Sequence, residues 1–92
     1  MDTQEQIRIL IVDDHPVVRA GLTSMLGTHP DFVVVGSAVS GEQALEFCKN
    51  GVVDLILLDL RMPGMNGIDT LHALTLLKSA PRVIILTSFE TD

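Results

Sequence analysis

Five side chains in this 92-residue chain have the types and positions to do chemistry together. Asp13 and Asp14 follow the apolar run Ile7–Val12 (IRILIV), Asp59 follows residues 54–58 (DLILL), and Thr87 and Ser88 follow residues 83–86 (VIIL). If those runs are neighbouring strands, three carboxylates and a hydroxyl meet at one place. Such crowding is expensive: two like charges about 4 Å apart repel by about 4 kcal/mol at an effective dielectric near 20. The group must take up protons or bind a cation. Oxygen ligands that leave coordination positions to water suit Mg²⁺, with Mn²⁺ a second choice. A carboxylate beside such an ion can act as a nucleophile on phosphorus and form an aspartyl phosphate. The Thr87 hydroxyl could then bond one phosphoryl oxygen, and backbone N–H groups after Asp59 the others. A zinc centre is not indicated, because His15, His29 and His72 are dispersed and Cys48 is the only cysteine.

The elements that must position these groups alternate along the chain. Ile7–Val12, residues 32–35, 54–58 and 83–86 are short apolar runs and are expected to be strands. Between the first two, Val18, Leu22, Met25 and Leu26 have helical spacing over residues 17–26, with Pro16 suited to the first turn and Gly27 to the exit. Ser40-Gly-Glu-Gln43 has the form of a capping box that opens a helix through Ala44, Leu45 and Cys48, and Gly51 ends it. Residues 61–66 (RMPGMN) form a loop, and Asn66 caps a helix through Ile68, Leu71, Leu74 and Leu77 that Pro81 stops. Leu71, Leu74, Leu76 and Leu77 are expected in the core. The order βαβαβαβ implies an α/β fold, an open parallel sheet with right-handed crossovers and helices on both faces. In such sheets ligands bind beyond the carboxyl ends of the strands, where the five residues would lie.

Composition narrows the function. Apolar residues make up 47% and charged residues 20%, enough to bury a core, while aromatics are 3%. Twelve acidic against six basic residues give a net charge of -6, which disfavours direct nucleic-acid binding by this chain. The polar N-terminus does not resemble a signal peptide, no apolar run is long enough for a bilayer, and a lone cysteine fits a reducing, cytoplasmic setting. Gly36 and Gly41 make no dinucleotide fingerprint, and there is no GxxxxGK loop. His15 is expected as an exposed first-turn residue, His29 and His72 as surface residues, and Cys48 as a small packing residue. Residues 83–86 are apolar on both faces, yet only Thr87 to Asp92 follow. We therefore expect a fragment, or a chain completed by another copy through an exposed strand edge.

Asp13-Asp14, the segment Leu57-Leu-Asp-Leu-Arg-Met-Pro-Gly-Met-Asn-Gly67, and Thr87-Ser88 after a four-residue apolar run together resemble the receiver domain of two-component response regulators. The run Asp13-Asp-His-Pro-Val-Val-Arg-Ala-Gly-Leu22 is similar to the branch with a LuxR-type helix-turn-helix output. The resemblance covers residues 1–92 as a partial receiver domain. It implies a flavodoxin-like sheet order 2-1-3-4 that lacks a fifth strand and the last two helices. It makes Asp59 the phosphoacceptor, Thr87 the switch hydroxyl, and Ser88 a small residue that admits the phosphoryl group. Mg²⁺ would be held by Asp14, Asp59 and the backbone carbonyl of Arg61, with Asp13 acting through a coordinated water. Arg61 and Phe89 fall at positions that tune phosphoryl lifetime. The implied partners are a sensor histidine kinase and a DNA-binding output domain, the implied role regulation of transcription. The family's Lys after the fifth strand has no counterpart here, so this chain is expected to bind Mg²⁺ and to be phosphorylated poorly. Two other functions are weighed: a phosphorylation-independent dimerisation module, and a haloacid-dehalogenase-like phosphatase. The phosphatase needs a second Asp two residues after its nucleophile, where this chain has Arg61.

Overall fold

The computed structural model describes residues 5–60 and 67–86. Asn66, the 61–66 loop and residues 87–92 lie outside them. Four strands and three helices alternate: β1 (Ile7–Val12), α1 (Pro16–Leu26), β2 (Phe32–Ala38), α2 (Gly41–Asn50), β3 (Leu55–Asp59), α3 (Gly67–Thr75) and β4 (Arg82–Leu86). All pairings are parallel and the order is β2-β1-β3-β4. This is the expected fold class and strand order.

β1 and β3 are central and buried on both faces, as their unbroken aliphatic sequences require. On one face Leu10, Val12, Ile56 and Leu58 pack with Ala44 of α2 and Leu74 of α3. On the other, Ile9, Ile11 and Leu57 pack with Leu22 and Leu26 of α1. Each fully buried Leu or Ile contributes about 1.5–3 kcal/mol. Among the described residues no helix is long and apolar enough to cross a membrane.

The helix starts follow local chemistry. Pro16 opens α1. At α2 the Ser40 hydroxyl accepts the Gln43 N–H at 3.1 Å, and the Gln43 side-chain carbonyl accepts the Val39 N–H at 3.0 Å. The return arm of the box thus reaches one residue further back than the usual partner, Ser40.

Three expectations need correction. β2 continues beyond residue 35 to Ala38, because a bulge opposite Ile9 and Leu10 carries the strand past Gly36: Ile9 pairs with Val34 and Leu10 with Gly36. Gly36 does not end the strand; it makes room for a ring, since a Cβ there would lie 2.5 Å from Phe47 Cε2. Asp54 lies outside β3. Its carboxylate accepts the Arg8 N–H at 2.8 Å and sits 3.7 Å from the Arg8 guanidinium. Leu76 is 74% exposed, whereas Leu74 is fully buried. Leu76 lies in the turn beyond Thr75, and two residues after Leu74 it falls on the side away from the core, where Leu71, Leu74 and Leu77 pack.

Candidate functional site

The register of β1 and β3 pairs Val12 with Leu58. The next residue on each strand is a carboxylate, so Asp13 and Asp59 emerge side by side at the carboxyl edge of the sheet. Both are nearly buried, at 4% and 5% exposure. The backbone around Asp13 is tied from two sides: its N–H donates to the Ala38 carbonyl of β2 at 3.0 Å, and its carbonyl accepts from the Arg19 guanidinium of α1 at 2.8 Å. Asp14 is partly exposed, but its Oδ1 is buried and has no hydrogen-bond partner among the described residues.

The fourth member of the cluster is His15. Its backbone N–H donates to Asp13 Oδ1 at 2.7 Å, and its Nδ1 lies 2.7 Å from the same oxygen. Nδ1 is also 3.1 Å from Asp14 Oδ1 and 3.9 Å from Asp59 Oδ2. One potential ligand atom from each of Asp13, Asp14, His15 and Asp59 falls within 4.8 Å of the others. The hydrogen bond to Asp13, then the charge of Asp14, the charge of Asp13 and more weakly that of Asp59, raise the His15 pKa above its ordinary value. The ring is exposed as expected, at 57%, yet its nitrogen faces the carboxylates. The available signal was its position: His15 is the N-cap of α1, but its side chain makes no capping bond.

The structure therefore brings Asp13, Asp14 and Asp59 together and adds His15. Arg61, Thr87, Ser88 and Phe89 lie outside the described residues. Hard carboxylate oxygens, one of them buried without a hydrogen bond among the described residues, are a donor set that fits a small divalent cation. Elsewhere, Cys48 packs beside the core, and burial pushes its thiol pKa up, in keeping with a packing role. His29 stacks obliquely against Phe32, with ring centroids 5.5 Å apart.

Comparison with known proteins agrees with this architecture. The sequence profile described as the response regulator receiver domain matches residues 9–92. The nitrate/nitrite response regulator NarL of Escherichia coli K12 is 44% identical over 87 residues, which is 95% of this chain and 40% of that protein. The signal receiver domain of a response regulator NarL from Mycobacterium tuberculosis superposes with a TM-score of 0.85 at 36% identity, covering 95% of this chain and 70% of that one. A chain in the crystal structure of the P1 domain of CheA3 in complex with CheY6 from R. sphaeroides matches with a TM-score of 0.79 at 37% identity, covering 92% of this chain and 66% of that one. The chain spans about 40% of the length of the curated relatives it matches. With its 2-1-3-4 parallel sheet and a profile match across residues 9–92, the chain belongs to the response regulator receiver domain family and is close to the NarL type.

Proposed function

We propose that residues 1–92 form the phosphoacceptor part of a cytoplasmic response regulator whose output domain binds DNA and controls transcription. Asp59 takes the phosphoryl group from a phosphohistidine of a sensor kinase. The convergence of Asp13, Asp14 and Asp59 at one sheet edge, with a buried Asp14 oxygen that accepts no hydrogen bond among the described residues, carries this reading. A relative's complex with the P1 domain of CheA3 supports the choice of partner.

In this reading Asp14, Asp59 and the Arg61 carbonyl would hold Mg²⁺, and Asp13 would act through a coordinated water. When bound, the ion offsets negative charge that builds on the phosphoryl oxygens. The chain's own contribution is positional. The β1–β3 register sets the Asp59 carboxylate at the strand tip, and the bonds from Asp13 to Ala38 and Arg19 hold the flanking backbone still. An Asp59 oxygen attacks phosphorus, the O–P bond forms, and the P–N bond breaks with its electron pair passing to the kinase imidazole. Thr87 would serve as the switch hydroxyl and Ser88 as the small residue that admits the phosphoryl group. This is signalling chemistry rather than turnover of a free substrate.

The test uses the full-length regulator with acetyl phosphate and Mg²⁺. One aspartyl phosphate at Asp59 is expected, absent without Mg²⁺ and absent in Asp59→Asn. Labelling that persists in Asp59→Asn overturns the assignment. Unchanged transcriptional output of Asp59→Asn in cells supports a phosphorylation-independent module instead.

A further inference from the structure

We infer that the amino edge of the sheet, opposite the carboxylate cluster, carries a binding site for an organic anion with a short apolar tail. A cavity of about 420 Å³ opens there between the ends of α2 and α3. Its lining is of two kinds. Val53, 8% exposed, and Leu77, which packs against the core, give an apolar floor, and Val52 adds an apolar side chain that is 64% exposed. Lys49, from the last turn of α2, and Lys78, from the turn beyond α3, line the same space from its two sides, and Ser79 adds a hydroxyl.

The charge at this edge runs against that of the whole chain. The net charge is -6, yet four of the six basic residues, Arg8, Lys49, Lys78 and Arg82, fall where strands begin and helices end. Arg8 has a carboxylate, that of Asp54 at 3.7 Å. Lys49 and Lys78 have no ion pair among the described residues. Lysines near a helix end commonly serve its free carbonyls, but here other groups do so. At α2 the Asn50 amide donates to the Glu46 carbonyl at 3.0 Å. At α3 the Thr75 hydroxyl and the N–H groups of Leu76 and Leu77 donate to the carbonyls of His72, Ala73 and Leu74. Two ammonium groups over an apolar floor are thus left to a ligand, and a concave apolar surface with a few convergent polar groups is what ligand sites share. The anionic head takes charge-assisted hydrogen bonds from Lys49 and Lys78, and the tail leaves water against Val53 and Leu77.

The alternative is a pair of solvated lysines beside a cleft that binds nothing. Titration of the full-length regulator with hexanoate, octanoate and decanoate, each below its micelle concentration, separates the two by ¹H–¹⁵N NMR. Saturable shifts are expected at residues 48–53 and 77–80, with affinity rising about two- to fourfold for each added methylene. Octanol should bind about fivefold more weakly than octanoate, and Lys49→Gln combined with Lys78→Gln should bring octanoate down to the level of octanol. Both lysines are exposed, so the pair of substitutions leaves the fold intact. Lys49→Arg with Lys78→Arg keeps both charges and should keep most of the affinity. Octanoate should also slow alkylation of Cys48, whose side chain lines the cavity. No saturable shift, shifts scattered over the surface, equal binding of octanol and octanoate, or undiminished octanoate binding by the Gln variant overturns the inference.

Discussion

Replacing Asp14 by Asn removes one negative charge from the cluster with almost no change in shape. Its carboxylate shares a site with those of Asp13 and Asp59, with ligand atoms within 4.8 Å. At that separation one like-charge pair costs about 3.5 kcal/mol at an effective dielectric of 20 and about 0.9 kcal/mol in water. The Asp14 side chain is 29% exposed, and His15 stands against it, so the lower part of that range applies. We expect Asp14→Asn to stabilise the metal-free protein by about 1 kcal/mol, a rise in Tm of about 4–8 °C for a domain of this size. The new amide also gives the orphaned position a group that can donate. Divalent ions should reverse the ranking. At a hundred times its Kd, Mg²⁺ adds about 2.7 kcal/mol to a protein that binds it only when folded, and the variant should lose most of that gain. Urea unfolding followed by circular dichroism, first in EDTA and then across a Mg²⁺ series, reads both effects. Lower stability of the variant in EDTA, or an undiminished response to Mg²⁺, would refute the electrostatic argument.

Other substitutions test the scaffold. Gly67→Ala would bring a Cβ to 2.5 Å from the Leu60 Cα, a backbone atom that cannot step aside, whereas Gly36→Ala meets only the Phe47 ring. Both should destabilise by about 1–3 kcal/mol in denaturant, with Gly67→Ala the worse, because overpacking costs most where the neighbour is rigid. Leu74→Ala should cost about 2–5 kcal/mol and Leu76→Ala less than about 0.5 kcal/mol in the same assay, as one is fully buried and the other 74% exposed. Burial raises the Cys48 pKa above its ordinary 9.0, so the fold favours the neutral thiol. Its contribution to stability is whole below the unfolded value and fades as pH rises through the folded one. Iodoacetamide should therefore label Cys48 more slowly in native than in urea-unfolded protein, and Cys48→Ala should flatten the alkaline fall in stability.

Much of the architecture was legible because unbroken aliphatic runs mark buried parallel strands. Ile7–Val12 has the same bounds in sequence and structure. The juxtaposition of Asp13 and Asp59 was legible too, since parallel strands must end on the same edge and each acid directly follows or closes its run. What escaped depends mostly on partners rather than on pattern. The continuation of β2 through Gly36 depends on Phe47 of α2, whose ring takes the space a side chain there would fill. Leu76 groups with its leucine neighbours in the sequence, but it stands two residues from Leu74, off the i, i+3, i+4 face, and points to solvent. The inward turn of His15 Nδ1 depends on a side-chain torsion and on a cap left unmade, neither of which residue order encodes. A resemblance to a family supplied the roles of Asp59, Thr87 and Ser88; spacing alone would also have allowed a helix cap at Thr87.

The bulge in β2 resets inside and outside for the rest of that strand. Phe32 and Val34 lean toward α1, but Ala38, an even number of residues later, packs with α2 and α3 on the opposite side. Strict alternation would have sent Ala38 to the side of Phe32 and turned Ser37 inward. The single odd step at Val35 lets a small apolar residue seal the far layer, while its carbonyl meets the Asp13 N–H. A strand with no reactive group thereby sets the seating of an acid on its neighbour, and shortening it by one residue should disturb that acid more than an equal deletion in an exposed loop.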